Sequence, residues 1–179
     1  MQEEFVFSGF GGQGVMFAGQ LLAYTAMDEG LEVTWIPSYG PEMRGGTAHC
    51  FVVISDKIIG SPMVARPLNG VIFNKPSFDK YESIIAPNGR LVVNTSLVPQ
   101  TSNRTDIEFI NIPATDIAYE LGDQRLTNMV LLGALLRDHP VLPIEALKRA
   151  LEAHIPAHRR NLLEKNFRAV ERGAEMLQA

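Results

Sequence analysis

Two hydrophobic periods alternate along the first two-thirds of the chain. Phe5-Val6-Phe7 is a short apolar run closed by Ser8 and Gly9, which predicts a buried first strand. From Gln13 to about Asp28, Val15, Ala18, Leu22 and Ala26 recur at three- and four-residue steps, and Gly30 follows. That spacing predicts a helix, with the glycine as its C-terminal stop. Leu31 to Ile36 predicts a second strand. Strand, glycine turn, helix and strand make a βαβ unit, so the two strands are expected to pair in parallel through a right-handed crossover. Pro37 to Gly46 is a loop dense in glycine and proline. Further strands are expected at Thr47–Ser55, Gly70–Asn74, Arg90–Asn94 and Ile107–Ile112, with a helix from Pro76 to about Ile85 and a turn at Asn88-Gly89. Ala114–Leu121, Thr127–Arg137, Ile144–His154 and Asn161–Leu177 carry helical periodicity. The expected fold class is therefore α/β, a Rossmann-like three-layer α/β/α arrangement on a mostly parallel sheet. A single domain is expected over residues 1–179, alternating through 1–112 and helical through 113–179.

Composition narrows the function classes. The 179 residues are 46% hydrophobic, enough for a packed core without disulfide or metal staples. The formal net charge of -4 argues against nucleic acid as a partner. Arg159, Arg160, Lys165, Arg168 and Arg172 gather late, but Glu164, Glu171 and Glu175 interleave with them, as on a solvated helix face. A single cysteine, Cys50, can neither close an internal disulfide nor hold an iron–sulfur cluster. Its apolar strand context predicts a small buried hydrophobe rather than a reactive thiol. Met-Gln-Glu-Glu lacks the basic start of a signal peptide, and no apolar run reaches a membrane-spanning length. A cytoplasmic location is expected.

Two loops carry the candidate chemistry. In the first, Gly9, Gly11 and Gly14 meet the GxGxxG spacing between a predicted strand and helix, with Gly12 and Gln13 completing Gly-Phe-Gly-Gly-Gln-Gly. Gly9 is expected to take the tight turn, and Gly11 and Gly12 to allow close backbone approach. The first-turn N–H groups of the helix favour an anion. Three readings stand for this loop: an anion or phosphate site, glycines that serve only strand–helix packing, and a dinucleotide site. The third lacks the acidic residue that should close the second strand to hold a ribose. The P-loop pattern is absent, because no Lys-Ser/Thr pair follows the glycines.

The second loop, Ser38-Tyr-Gly-Pro-Glu-Met-Arg-Gly-Gly-Thr47, follows the second strand and is expected at the same sheet edge, where ligands of open α/β sheets bind. A phenol, a carboxylate, a guanidinium and three glycines in ten residues suit a loop that folds against something. The bland alternative is a solvated turn with Glu42 and Arg44 exposed.

Gly9-Phe-Gly-Gly-Gln-Gly-Val15, Ser38-Tyr-Gly-Pro-Glu-Met-Arg-Gly-Gly46, Val53-Ile-Ser-Asp56 and Ser61-Pro62 together resemble the gamma subunit of 2-oxoacid:ferredoxin oxidoreductases. The resemblance covers roughly residues 4 to 135; the tail resembles the family only in pattern. The form of the second loop is more similar to the 2-oxoglutarate and branched-chain 2-oxoacid members. The resemblance implies a subunit of an enzyme that decarboxylates a 2-oxoacid oxidatively, forms an acyl-coenzyme A and passes electrons to ferredoxin. It implies alpha, beta and delta partners that carry thiamine diphosphate, magnesium and iron–sulfur clusters, with none of these held by this chain alone. It also implies a place near the active-site entrance. Gly9, Gly11, Gly12, Gln13 and Gly14 would then seat a phosphate of coenzyme A. Ser38, Tyr39, Glu42, Met43, Arg44, Gly45 and Gly46 would meet the partner subunits. No catalytic or metal-ligating residue is expected. His154 and His158 are four apart, but Pro156 breaks the helix between them, and no third ligand is near. His49 is expected to be an interior or interface histidine. A free-standing nucleotide-binding or regulatory module is the alternative function.

Overall fold

The computed structural model describes residues 1–39 and 47–177. Among the described residues, six strands form one sheet in the order β2-β3-β1-β4-β5-β6. They are β1 (Gln2–Phe10), β2 (Glu32–Tyr39), β3 (Thr47–Ser55), β4 (Asn69–Ile72), β5 (Arg90–Asn94) and β6 (Glu108–Ile112). The α-helices among the described residues are α1 (Val15–Asp28), α2 (Lys75–Tyr81), α3 (Ala114–Glu120), α4 (Thr127–Asp138), α5 (Ile144–His154) and α6 (Leu163–Glu175). The α/β class and the helical C-terminal part expected from periodicity are those observed.

The expected parallel pairing of the first two strands is not observed. β3 lies between them, antiparallel to both, in registers that run from Gln2↔Ser55 to Phe10↔Thr47 and from Glu32↔Ser55 to Tyr39↔Ala48. β1 and β2 still run in the same direction, but they do not touch as neighbours. Only from β1 through β4 and β5 to β6 are the pairings parallel. The reason is local: β2 and β3 follow each other closely in the chain and pair as antiparallel neighbours, which needs no long crossover. The apolar pattern alone does not encode which strands become neighbours.

A second difference concerns the second strand. It continues through Pro37 and Ser38 to Tyr39, so these residues are strand rather than loop. β2 ends the sheet, and an edge strand accepts a proline because one side of it has no ladder to feed.

The two faces of the sheet are unequally covered. Phe5, Phe7, Cys50, Val52, Val71 and Val92 share one core with α1 and α3 to α6. Val6, Ile72, Leu91 and Val93 pack on the other face under α2 and the Glu82–Ile84 turn, with Phe78, Tyr81 and Ile85. α4 is the buried spine of the thicker layer; every residue from Thr127 to Leu136 is buried. α6 presses on it at two glycines. A Cβ added at Gly133 would collide with the carbonyl of Val170, and one added at Gly173 with the carbonyl of Val130. This reciprocal contact brings the start of α6 to the edge of the sheet where the glycine loop lies.

Candidate functional site at the carboxyl edge of the sheet

The carboxyl ends of the parallel strands are tied together by neutral polar side chains. Asn94, fully buried at the end of β5, donates from Nδ2 to the Phe73 carbonyl at 3.1 Å and to Thr115 Oγ1 at 2.9 Å. Its Oδ1 accepts from the Thr115 N–H at 3.2 Å. Asn74, just past β4, caps α2 by accepting from the Ser77 N–H at 3.0 Å. The Ser8 hydroxyl donates to Ser77 Oγ at 2.9 Å. Each of these buried groups is satisfied, as burial requires.

The glycine loop is built onto this frame. Gln13 Oε1 accepts from the Phe10 N–H at 2.7 Å and from Asn74 Nδ2 at 3.0 Å, and the Gln13 N–H returns to the Phe10 carbonyl at 3.1 Å. Gln13 is thus a strut of the loop. Gly9 does not make the tight turn expected of it. It lies within β1, and a Cβ there would stand 2.7 Å from both Gln13 Oε1 and Phe73 Cβ, so it is glycine for close packing. The left-handed positions are Gly12 (φ 98°) and Gly14 (φ 78°). Gly11 is half-buried between them and Phe10.

Gly14 is the N-cap of α1. It brings no capping side chain, and the first turn holds no acidic residue. The first-turn donors are therefore left without a side-chain partner, the arrangement that favours an anion. Asn128, at the start of α4, donates to the Gly14 carbonyl at 3.2 Å and leaves no room for a side chain at Gly14.

Two cavities open beside Gly12. The smaller, about 210 Å³, is lined by Gln13, Thr115, Gln124, Arg125 and Thr127. The larger, about 310 Å³, lies towards α6, with Phe17, Arg125, Asn128, Arg159 and Lys165 among its walls. Arg125 borders both. Asp123 holds it through a 2.7 Å contact, and the guanidinium keeps the Asp123 carboxyl below its usual range.

Around Ser38 and Thr47 only the flanks are described. Ser38 pairs with His49 and Tyr39 with Ala48, while Phe10 of β1 pairs with Thr47 on the other side of β3. The flanks of the second loop therefore leave from the same sheet edge as the glycine loop, as expected. Glu42, Met43, Arg44, Gly45 and Gly46, and the side chain of Tyr39, lie outside the described residues.

The remaining candidates resolve as packing or surface features. Cys50 is fully buried, and burial pushes its thiol up to about 12. His49 stands edge-on to Phe51 and beside Tyr81, and burial, then Lys80, lowers its pKa. His154 stacks on Tyr24 with ring centroids 4.3 Å apart and meets Asp28 Oδ2 at 2.9 Å. Sequence reasoning missed Asn74, Asn94, Thr115, Arg125, Thr127 and Asn128. A signal existed: Ser8, Asn74 and Asn94 each close an apolar strand run with a small hydrogen-bonding residue.

The family model described as pyruvate ferredoxin/flavodoxin oxidoreductase matches residues 4–176. The chain is 35% identical over 179 residues to the 2-oxoglutarate synthase subunit KorC of Methanocaldococcus jannaschii, covering 98% of this chain and 94% of that protein. It is 36% identical to the ketoisovalerate oxidoreductase subunit VorA of Methanothermobacter thermautotrophicus, but spans only 35% of that longer relative. Among solved structures, the gamma subunit of a keto/oxoacid ferredoxin oxidoreductase from Geobacter sulfurreducens superposes with a TM-score of 0.84 at 28% identity, covering 99% of both chains. The fold is also shared, at a TM-score of 0.86 and 23% identity, with 31% of a chain of the 2-oxoglutarate:ferredoxin oxidoreductase from Magnetococcus marinus, a structure with 2-oxoglutarate, coenzyme A and succinyl-CoA bound; it covers 98% of this chain.

Proposed function

The chain belongs to the pyruvate ferredoxin/flavodoxin oxidoreductase family, and on that premise we propose that it is the gamma subunit of a 2-oxoacid:ferredoxin oxidoreductase. The complex would cleave carbon dioxide from a 2-oxoacid, transfer the acyl group to coenzyme A and deliver the electrons to ferredoxin. The catalytic cofactors, thiamine diphosphate with magnesium and iron–sulfur clusters, would sit in alpha, beta and delta partners. One cysteine in this chain cannot supply a cluster's thiolates. The whole of residues 1–179 would act as one domain, and the complex would work in the cytoplasm. No helix among the described residues is long and apolar enough to cross a membrane.

The chain's own contribution is to bind and orient. Gly11, Gly12 and Gly14 bring backbone close to a phosphate of coenzyme A, with Gly9 and Gln13 holding the loop. The second loop, from Ser38 and Tyr39 through Glu42, Met43 and Arg44 to Gly45 and Gly46, docks on the partner subunits. The observation that carries the coenzyme reading is the uncapped first turn of α1 beside a cavity bordered by Gly12 and Arg125. The Magnetococcus complex, which shares this fold over part of one chain, is a structure with coenzyme A bound.

The test is recovery of the native complex through a tag on this chain, followed by 2-oxoacid- and coenzyme-A-dependent dye reduction. Gly11→Val should preserve assembly and raise the KM for coenzyme A. Arg44→Ala should fold but fail to assemble, or assemble with low turnover, because a group left unpaired at an interface costs about 2–5 kcal/mol. Recovery of the chain alone would overturn the subunit reading. An unchanged KM in Gly11→Val would overturn the coenzyme site, and full assembly and turnover of Arg44→Ala would overturn the docking role.

A further inference from the structure

The larger cavity beside Gly12 does not end at the glycine loop. It runs on along α1 into a second lobe of about 260 Å³. The two lobes share Phe17, Ile155, Pro156 and Arg159, so they form one groove between α1 and the strap of residues that joins α5 to α6. Its ends differ in chemistry. At the glycine-loop end stand Arg125, Arg159 and Lys165 against a single carboxylate, Asp123. Asp123 already holds Arg125, whereas Arg159 and Lys165 form no ion pair among the described residues. At the far end Leu21, Tyr24 and Leu151 make an apolar and aromatic wall. Tyr24 is fixed there by its stack on His154 and by the Gln20 amide, which donates to its hydroxyl at 3.1 Å.

From this layout we infer that the groove is a second binding site, for an organic anion with an apolar or planar body. The anionic head sits between Arg159 and Lys165, and the body lies along Phe17 towards Tyr24. The size suits a small ligand: the proximal lobe alone falls at the lower end of the roughly 300–1,000 Å³ usual for such sites. The charge distribution singles out the same place. The chain carries a formal net charge of -4, yet Arg159, Arg160, Lys165 and Arg168 face only Glu164 within their own segment. Two cations that form no ion pair among the described residues, beside an apolar trough, recognise a charged head and an apolar body together, which neither a bare anion nor a neutral hydrophobe satisfies. The site goes beyond the coenzyme reading, since Arg159, Lys165 and Tyr24 take no part in it.

The experiment is calorimetry on the full chain with adenosine 5′-monophosphate, octanoate and inorganic phosphate. The first two distinguish a phosphate head on a planar body from a carboxylate on an aliphatic one; phosphate reports the head alone. At least one of the two should bind with a Kd below about 1 mM and at least about tenfold more tightly than phosphate. Arg159→Glu with Lys165→Glu should weaken it by at least about tenfold, and so should moderate salt. Gln20→Trp, which fills the distal lobe, should weaken the organic anion but not phosphate. Arg168→Glu, outside the lining, controls for general charge. Failure of both organic anions to exceed phosphate would overturn the site, as would equal losses in the Arg168 control and the double variant. Binding lost in Gly11→Val but kept in the double variant would assign the anion to the glycine loop and leave only the coenzyme reading standing.

Discussion

The two edges of the sheet solve the same problem with different chemistry. Both bury polar groups, one where strands end and helices begin, the other where strands begin and α4 ends. At the carboxyl edge the groups are neutral: Ser8, Gln13, Asn74, Asn94, Thr115 and Thr127. At the amino edge they are charged. Glu3 meets His139 at 2.9 Å and accepts from Asn69 at 3.0 Å, and Arg90 stands 2.9 Å from Asp138 and 3.6 Å from Glu108. Arg90 and Asp138 are close but not aligned for a hydrogen bond. The difference bears on the anion proposed at the glycine loop. A frame of satisfied amides and hydroxyls keeps its geometry without adding fixed charge, so the field at the glycine loop is left to the α1 terminus, the Asp123–Arg125 pair and the nearby cations. Charged pairs of that density at the same edge would compete with a ligand's phosphate. They sit instead at the end of the sheet away from the glycine loop.

α4 joins the edges, with Thr127 and Asn128 at one end and Asp138 and His139 at the other, so breaking its seat should break both. Gly133→Val places a side chain against the Val170 backbone, which cannot yield without moving α6. The expected loss is about 3 kcal/mol or more, at the upper end of overpacking effects. Chemical denaturation would measure it. A loss under about 1 kcal/mol would mean that α6 slides freely and that the two edges share no common spine.

Asn94→Ala attacks the neutral edge alone. It strands the Thr115 N–H and the Phe73 carbonyl, and unpaired buried groups cost about 1–3 kcal/mol each. The cost should be the same across pH 3 to about 6, because no carboxylate or imidazole takes part. A pH-dependent cost would show that the two edges are electrostatically coupled.

Gly12→Ala forces a side chain into a left-handed position (φ 98°) with open space around it. The cost should be conformational only, about 1–2 kcal/mol. It should fall on thermal stability and leave the amino-edge titrations unchanged. Gly9→Ala, which has no space, should do more damage despite its ordinary backbone.

The smallest effects sharpen the charged edge. Glu3 is held below its usual range chiefly by the hydrogen bond with His139, partly offset by burial. A depressed carboxylate stabilises the fold above its unfolded value of about 4.3 and loses that contribution as pH falls through its lower folded value. The advantage of the wild type over Glu3→Gln should therefore shrink on acidification. Asp138 has the opposite sign: burial, then Glu108, raises it despite Arg90. Its folded form keeps the proton longer, so the wild type should gain on Asp138→Asn as pH falls through that range and lose as pH rises. Melting curves of both variants from pH 3 to about 6 decide the matter. Parallel slopes for the two would refute the assignment of opposite shifts.

Most of the elements were legible because burial imposes periodicity residue by residue. Thr47–Ser55 and Arg90–Asn94 match their apolar runs to the residue, and Gly30 stops its helix with φ 80°. The glycine loop was legible as a motif, though not the division of labour inside it. Gly9 is constrained by Phe73 and Gly14 by Asn128, partners 64 and 114 residues away that no local pattern points to.

Residue order alone thus specifies the set of elements, the two loop motifs and the family they resemble. Each of these follows from short-range periodicity or from contiguous residues. The strand order, the amide frame around Asn94 and the groove between α1 and the strap were decided only by the tertiary structure. They depend on which distant surfaces meet once apolar faces are buried. β3 enters between β1 and β2 because an antiparallel neighbour was close at hand in the chain, and α6 reaches the glycine loop because Gly133 and Gly173 let two backbones touch.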